Sequence, residues 1–314
     1  AYEEARLLWR RQPIETLLAG ELDAGTRAKL ELSLAVRAFA AADLGLSVGG
    51  SYTSLAQVDA GQIVHVVSAA PRDRLVPYTW WFPIVGDVPY RGYFDVAQAR
   101  ALAASLDADG YDTDVRPAIA FSTLGWFDDP LLSTLLAYDQ VRLAETMLHE
   151  LLHSTLYVPG QAAFNESFAT FVGHRGAQRF FALRGDPARA TQAAARWSDA
   201  LTFSACLARG LARLEAAYAA GVDPGARTPL FDALRAGCAG QQWLTEEYAG
   251  FWRGPLNNAI LMHDRLYADR LALFEAAAAR NGDDLRATIA WIRSAAAAGG
   301  DPFAALEAAL APAP

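Results

Sequence analysis

The chain of 314 residues is poor in most features that would decide its class at a glance. Its two cysteines, Cys206 and Cys238, are too far apart for a C-x-x-C redox or zinc motif. One disulfide in an oxidising compartment and two inert buried thiols fit them equally well. No run of about 18 apolar residues occurs, which excludes a membrane-spanning helix. Positive charge is in deficit: 27 Lys and Arg face 35 Asp and Glu, a net charge of −8. That balance excludes the electrostatic footprint of a nucleic-acid or anionic-lipid binder. Internal repeats and exposed linkers are also lacking, so one compact unit over 1–314 is expected. The chain starts Ala1-Tyr2-Glu3-Glu4 without Met, as expected of a trimmed product whose targeting segment is not shown.

What is present is the material of a globular core, with 53% hydrophobic and 20% charged residues. Three zones follow one another. Residues 1–45 read as helices, Tyr2 to Leu18 and Ala24 to Leu44, broken at Pro13 and Gly20. Residues 46–135 turn rich in Gly, Pro, Tyr, Trp, Thr and Val, with β-type runs at Ile63–Ser68, Tyr78–Val85 and Thr113–Phe121. A helix at Val96–Leu106, closed by Gly110, interrupts them. Residues 136–314 are helical and Ala-rich, as closely packed helices are. The expected fold is α+β: a mostly helical, zincin-like body with a small mixed β-sheet inserted near 46–135.

Chemistry concentrates at His149-Glu150-Leu151-Leu152-His153, an HExxH pentad. Its two histidines, four apart, lie about 40° apart on a helix, so both imidazoles can reach one ion. Glu150 lies about 60° beyond His153, within reach of a proton on a bound water. The run from Asp139 to Leu148 supplies good helix formers and a broad apolar face, and Pro159-Gly160 is expected to end that helix. Glu166 then opens a second helical run to Leu183. His149, His153 and Glu166 make a His2Glu set with an open fourth position, the ligand set of one catalytic zinc per chain. A buried structural pair of histidines beside a carboxylate is the alternative.

Zinc so held lowers the pKa of a bound water toward about 7 and polarises a carbonyl. Glu150 is the expected general base and proton shuttle to the leaving amine. A donor to the developing oxyanion is also needed. His263 and Tyr267, four apart after a helix start at Asn257-Asn258, are the candidates, Tyr267 before His263. His65 reads as structural, and His174 as structural or cleft-lining. An extended peptide substrate is expected along an edge strand, with Ala118–Phe121 the nearest upstream. Beyond it, Gly125 permits close backbone approach, and Trp126 or Phe127 offers a wall for a side chain. Asp128, Asp129 and Glu145 are candidates for holding a free α-amine.

Several segments together carry a family resemblance. They are Phe82-Pro83-Ile84-Val85-Gly86, Pro89-Tyr90-Arg91-Gly92-Tyr93-Phe94, the run Ser122 to Pro130, the pentad, Phe164-Asn165-Glu166-Ser167-Phe168-Ala169, and Asn257-Asn258-Ala259. In these the chain resembles the bacterial putative aminopeptidase family of zinc metallopeptidases, along nearly its whole length. Asn165 to Ala169 is also similar to the N-E-x-x-A element of gluzincins such as the aminopeptidase N group, where the Glu is the third zinc ligand. Here 12 residues separate His153 from Glu166, fewer than in those enzymes. The resemblance implies a zinc aminopeptidase of the bacterial periplasm or cell envelope, with an N-terminal lipid or membrane anchor in the full-length protein. The alternative function is a non-peptidase envelope factor that uses the zinc scaffold for binding or assembly.

Overall fold

The computed structural model describes residues 11–58, 63–83, 85–118 and 128–311. The first of these segments opens with strand β1 (Gln12–Pro13), helix α1 (Ile14–Leu18) and helix α2 (Ala24–Ala42). Strands then dominate: β2 (Ser54–Ala56), β3 (Val64–Pro71), β4 (Trp80–Phe82), β5 (Gly86–Val88) and β6 (Arg91–Tyr93). Helix α3 (Val96–Ala108) precedes β7 (Tyr111–Ala118) and β8 (Leu131–Leu132). Next come α4 (Gln140–His153), α5 (Ala162–Leu183), the long α6 (Pro187–Ala219) and α7 (Thr228–Ala239). Helices α8 (Glu247–Arg253), α9 (Asn258–Ala268), α10 (Leu271–Arg280), α11 (Leu285–Ala296) and α12 (Pro302–Leu310) complete the body. The mostly helical α+β architecture agrees with the expectation.

The single small sheet does not. Among the described residues there are three separate sheets. β2 pairs antiparallel with β1 and parallel with β8, so Leu55 stands between Gln12 and Leu131. β3 is the centre of an antiparallel β6-β3-β7 sheet, with Val66 between Gly92 and Arg116. β4 and β5 form a hairpin of their own. Strands of two or three residues carry no periodicity, and only pairing with distant segments defines them. Helix α1 is also shorter than the Tyr2–Leu18 reading, because Gln12 and Pro13 are extended and paired with β2. The part of that run before residue 11 lies outside the described residues.

One face of β3 packs on α3 through Val67, Ala99 and Ala103. Alternation turns Val64 and Val66 the other way, toward α4 and α9. The main core gathers α2, α4, α5, α6 and the C-terminal helices around Phe164, Phe168, Phe171 and Phe274. Their ring centroids lie 5.4–6.4 Å apart. Such burial contributes roughly 2–3 kcal/mol per ring from apolar area alone, so α5 is held on its far side from the cleft. Cys206 of α6 and Cys238 of α7 form a disulfide, with Cα atoms 5.8 Å apart. No helix among the described residues is long and apolar enough to cross a membrane.

Candidate metal centre and active site

Helix α4 starts where the Asp139 carboxylate accepts from the Arg142 amide at 2.9 Å. Its apolar face, Val141, Leu143, Ala144, Met147, Leu148, Leu151 and Leu152, is buried. His149, Glu150 and His153 of the pentad are therefore presented to the cleft from the other edge of the helix. The helix ends at His153, not at Pro159-Gly160. The amides of Thr155 and Leu156 both close on the Leu152 carbonyl, and the Thr155 hydroxyl turns back to the Leu151 carbonyl. A side chain that offers the backbone a local alternative stops a helix before a glycine needs to.

Helix α5 correspondingly begins at Ala162, four residues ahead of Glu166. What closes the connection is Asn165. Its amide group donates to the Val158 carbonyl at 2.8 Å and its carbonyl accepts from the Val158 amide at 2.9 Å. The next residue, Glu166, thus enters on a fixed backbone. Ser167 docks the third element: its hydroxyl donates to the Leu266 carbonyl and accepts from the Asp269 amide. That contact sets α9, the carrier of His263 and Tyr267. Asn257 caps α9 by accepting from the Ile260 amide, as its position after Gly254-Pro255 predicts.

These elements bring His149, His153 and Glu166 together. The Nε2 atoms of the two histidines are 3.2 Å apart. Glu166 Oε2 lies 3.1 Å from His149 Nε2 and 3.4 Å from His153 Nε2. Zinc bonds of about 2.0–2.1 Å at tetrahedral angles place neighbouring donor atoms about 3.3–3.4 Å apart. The three distances are close to the edges of such a tetrahedron, and the group could hold a metal ion. The histidines pull the Glu166 carboxyl well below the usual carboxylate range, against the opposing effect of burial. Tyr90 donates to the second oxygen, Oε1, at 3.3 Å. This carboxylate is therefore oriented from both sides, as metal-ligating carboxylates are.

The triad opens into a cleft of about 750 Å³ that also receives Glu150, Tyr90, Tyr157, His263 and Tyr267. Burial pushes the Glu150 carboxyl up, partly offset by the two histidines. Burial also raises the Tyr90 and Tyr267 hydroxyls well above the ordinary phenol range, so both remain protonated donors. The Tyr267 ring stacks on His149 with centroids 6.0 Å apart. His263 packs between the Tyr90 and Tyr267 rings, and burial with the nearby Arg116 lowers its pKa to about 3. As a neutral, buried ring it is placed to position the two tyrosines.

A family model described as "Putative aminopeptidase" matches residues 1–301. The chain belongs to the putative aminopeptidase family. Searches of curated proteins and of solved structures returned no match.

In this member of the putative aminopeptidase family, the residues selected from the sequence separate into three groups. His149, Glu150, His153, Glu166 and Tyr267 share the cleft. Gly125, Trp126 and Phe127, and the strand end Ile119–Phe121, lie outside the described residues. β7 is an edge of its sheet, and its Arg116 and Pro117 line the cleft. Among the three acidic candidates only Glu145 faces the cleft; Asp128 instead accepts from the Gly50 amide. His65 projects away from the cleft-facing Val64 and Val66 of the same strand. His174 does line the cleft, with Nδ1 3.0 Å from Glu145 Oε1. Sequence reasoning passed over Tyr90, Asn165 and Ser167 as individuals. Each stood in a segment already singled out, and a tyrosine between Pro89 and Arg91 gives no spacing signal for a helix-borne site.

Proposed function

We propose that this chain is a zinc-dependent peptidase that acts on peptides from the N-terminal end. The observation that carries the reading is the near-tetrahedral spacing of the three donor atoms beside Glu150 in one cleft. Two imidazoles and one carboxylate suit zinc among the biological divalent ions. Bound there, zinc supplies Lewis acidity toward water and toward a substrate carbonyl.

The protein's own groups account for the rest. Glu150, half-buried and raised in pKa, takes a proton from the attacking water and returns it to the departing amine. Tyr267 enters the cleft as a neutral hydroxyl donor for the negative charge that develops on the carbonyl oxygen, while the single hydroxyl proton of Tyr90 is held by Glu166 Oε1. Preorganised donors of this kind need no rearrangement as the charge appears. The sheet face at Val64 and Val66 gives the substrate an apolar floor. The disulfide supports an oxidising compartment and, with it, the envelope location that we propose.

The deciding experiment pairs elemental analysis with hydrolysis of a broad peptide library. Stoichiometric zinc with cleavage, lost in Glu150→Gln while the zinc stays, is the expected result. Stoichiometric zinc with no cleavage of any peptide by the wild type would instead support a binding or assembly factor built on the same scaffold.

A further inference from the structure

One helical turn before His149, the cleft ends in a cluster assembled from four helices. Glu145 of α4 is buried, with Oε1 3.0 Å from His174 Nδ1 of α5 and Oε2 3.0 Å from Arg196 Nε of α6. Arg196 also faces Asp139 at 3.3 Å and Glu247 of α8 at 3.2 Å. Every nitrogen of that guanidinium therefore meets a carboxylate. It holds the acids in place as an ion-pair partner shared by all three. Arg142 is the second cation, at 4.0 Å from Glu247. Three carboxylates against two guanidiniums leave an anionic surplus in a partly desolvated pocket. Glu145, His174, Arg196 and Glu247 all line the same cleft as the metal triad. Glu247 is partly exposed, and its buried Oε2 has no hydrogen bond of good geometry.

We infer that Glu145 and Glu247 form the pocket for the free α-ammonium group of a peptide substrate. The inference rests on the peptidase reading for where the scissile carbonyl lies. An α-amine nitrogen is about 2.5 Å from the carbonyl carbon of its own residue. A charge-assisted hydrogen bond adds about 2.8 Å. The accepting carboxylate therefore belongs about 5 Å from the reacting carbon. Glu145 is four residues from His149, a rise of about 6 Å on the same helix face. A lysine side chain at that position would carry its ammonium on a four-carbon stem, on the order of 5 Å too far out. The spacing favours the α-amine. An ammonium with three donors also matches carboxylates whose other partners are already fixed.

Binding to the full-length, zinc-loaded Glu150→Gln protein tests this without requiring turnover. Calorimetry would compare leucine amide, N-acetyl-leucine amide and Nα-acetyl-lysine amide. Leucine amide is expected to bind at least tenfold more tightly than either of the others. Adding Glu247→Gln should erase most of that difference while leaving the weak affinity for the acetylated ligand in place. Glu145→Gln, which keeps a side chain able to face His174, is the second variant if the first does not fold. Equal binding of leucine amide and its acetylated form would overturn the pocket. So would binding of the lysine derivative as tight as that of leucine amide, which would assign the pocket to a side-chain ammonium. Wild-type hydrolysis distinguishes the two readings. Equal cleavage of free and acetylated peptides removes the pocket and leaves the peptidase. Amine-dependent binding with no cleavage of any peptide removes the peptidase and leaves the pocket.

Discussion

Gly173 of α5 faces the backbone of Glu145 on α4 so closely that a Cβ would stand 2.7 Å from the Glu145 carbonyl oxygen. The same atom would reach the His149 Cβ at 3.4 Å. The missing side chain is what lets the glutamate helix lie against the histidine helix. Without that approach Glu166, two turns earlier on α5, could not complete the triad.

Gly173→Ala is therefore expected to push the two helices apart. A backbone contact of that kind cannot be relieved by a rotamer change, and overpacking costs about 1–3 kcal/mol. Thermal unfolding should show a loss of a few °C. Zinc affinity, measured by competition with a chelator, should fall in parallel. An alanine variant with unchanged affinity and melting temperature would show that the helices do not need this contact.

Glu150→Gln should lower kcat by about 10²–10⁴, the range for loss of a positioned proton-transfer group. Zinc content should remain at the wild-type level. Measuring both on the same preparation separates a lost base from a lost metal.

Tyr267→Phe keeps the ring against His149 and removes only the hydroxyl donor. Loss of one oxyanion donor lowers kcat by about 10²–10³ with little change in KM. Tyr90→Phe should act differently, because its hydroxyl is committed to Glu166 Oε1. Part of its effect should appear as weaker zinc binding. An unchanged kcat in Tyr267→Phe would rule Tyr267 out as the oxyanion donor.

His263 gives a pH dependence with a defined sign. Burial depresses its pKa to about 3, below the unfolded value of about 6.5. The unfolded chain then binds a proton that the folded one refuses. That contribution to stability is complete above about pH 6.5 and is lost as pH falls toward 3. The slope is on the order of 1 kcal/mol per pH unit. His263→Phe should flatten the acid limb of denaturant-measured stability across that window. Parallel acid limbs in variant and wild type would contradict the assignment.

Reducing the Cys206–Cys238 bridge should cost about 2–4 kcal/mol, since it closes a loop of 32 residues. Chemical denaturation with and without a thiol reductant measures it, with the Cys206→Ser, Cys238→Ser double variant as the control.

The grouping of His149, His153 and Glu166 was legible in sequence because its spacing is local: two residues one turn apart and a third on the next helix. The helical body was legible for the same reason, through apolar faces repeating every three to four residues. What stayed hidden was assembled over long range. The β1-β2-β8 sheet joins segments around residues 12, 55 and 131, each too short to show a period. The Glu145–Arg196–Glu247 cluster draws on three helices, and ion pairs leave no pattern within any one of them. Helix ends were misplaced where hydrogen bonds beyond Ser154 and from Asn165, rather than Pro159 and Gly160, set the boundary.

Asn165 grips both polar groups of Val158 much as a neighbouring strand would, and its next residue is the carboxylate of the triad. Opening the 154–161 connection and withdrawing Glu166 are thus parts of one movement. The rate at which the centre exchanges its ion should then be governed by how often this side-chain latch lets go. Asn165→Ala is expected to speed zinc loss more than it weakens equilibrium affinity. A single amide would then act as the timer of an ion's residence.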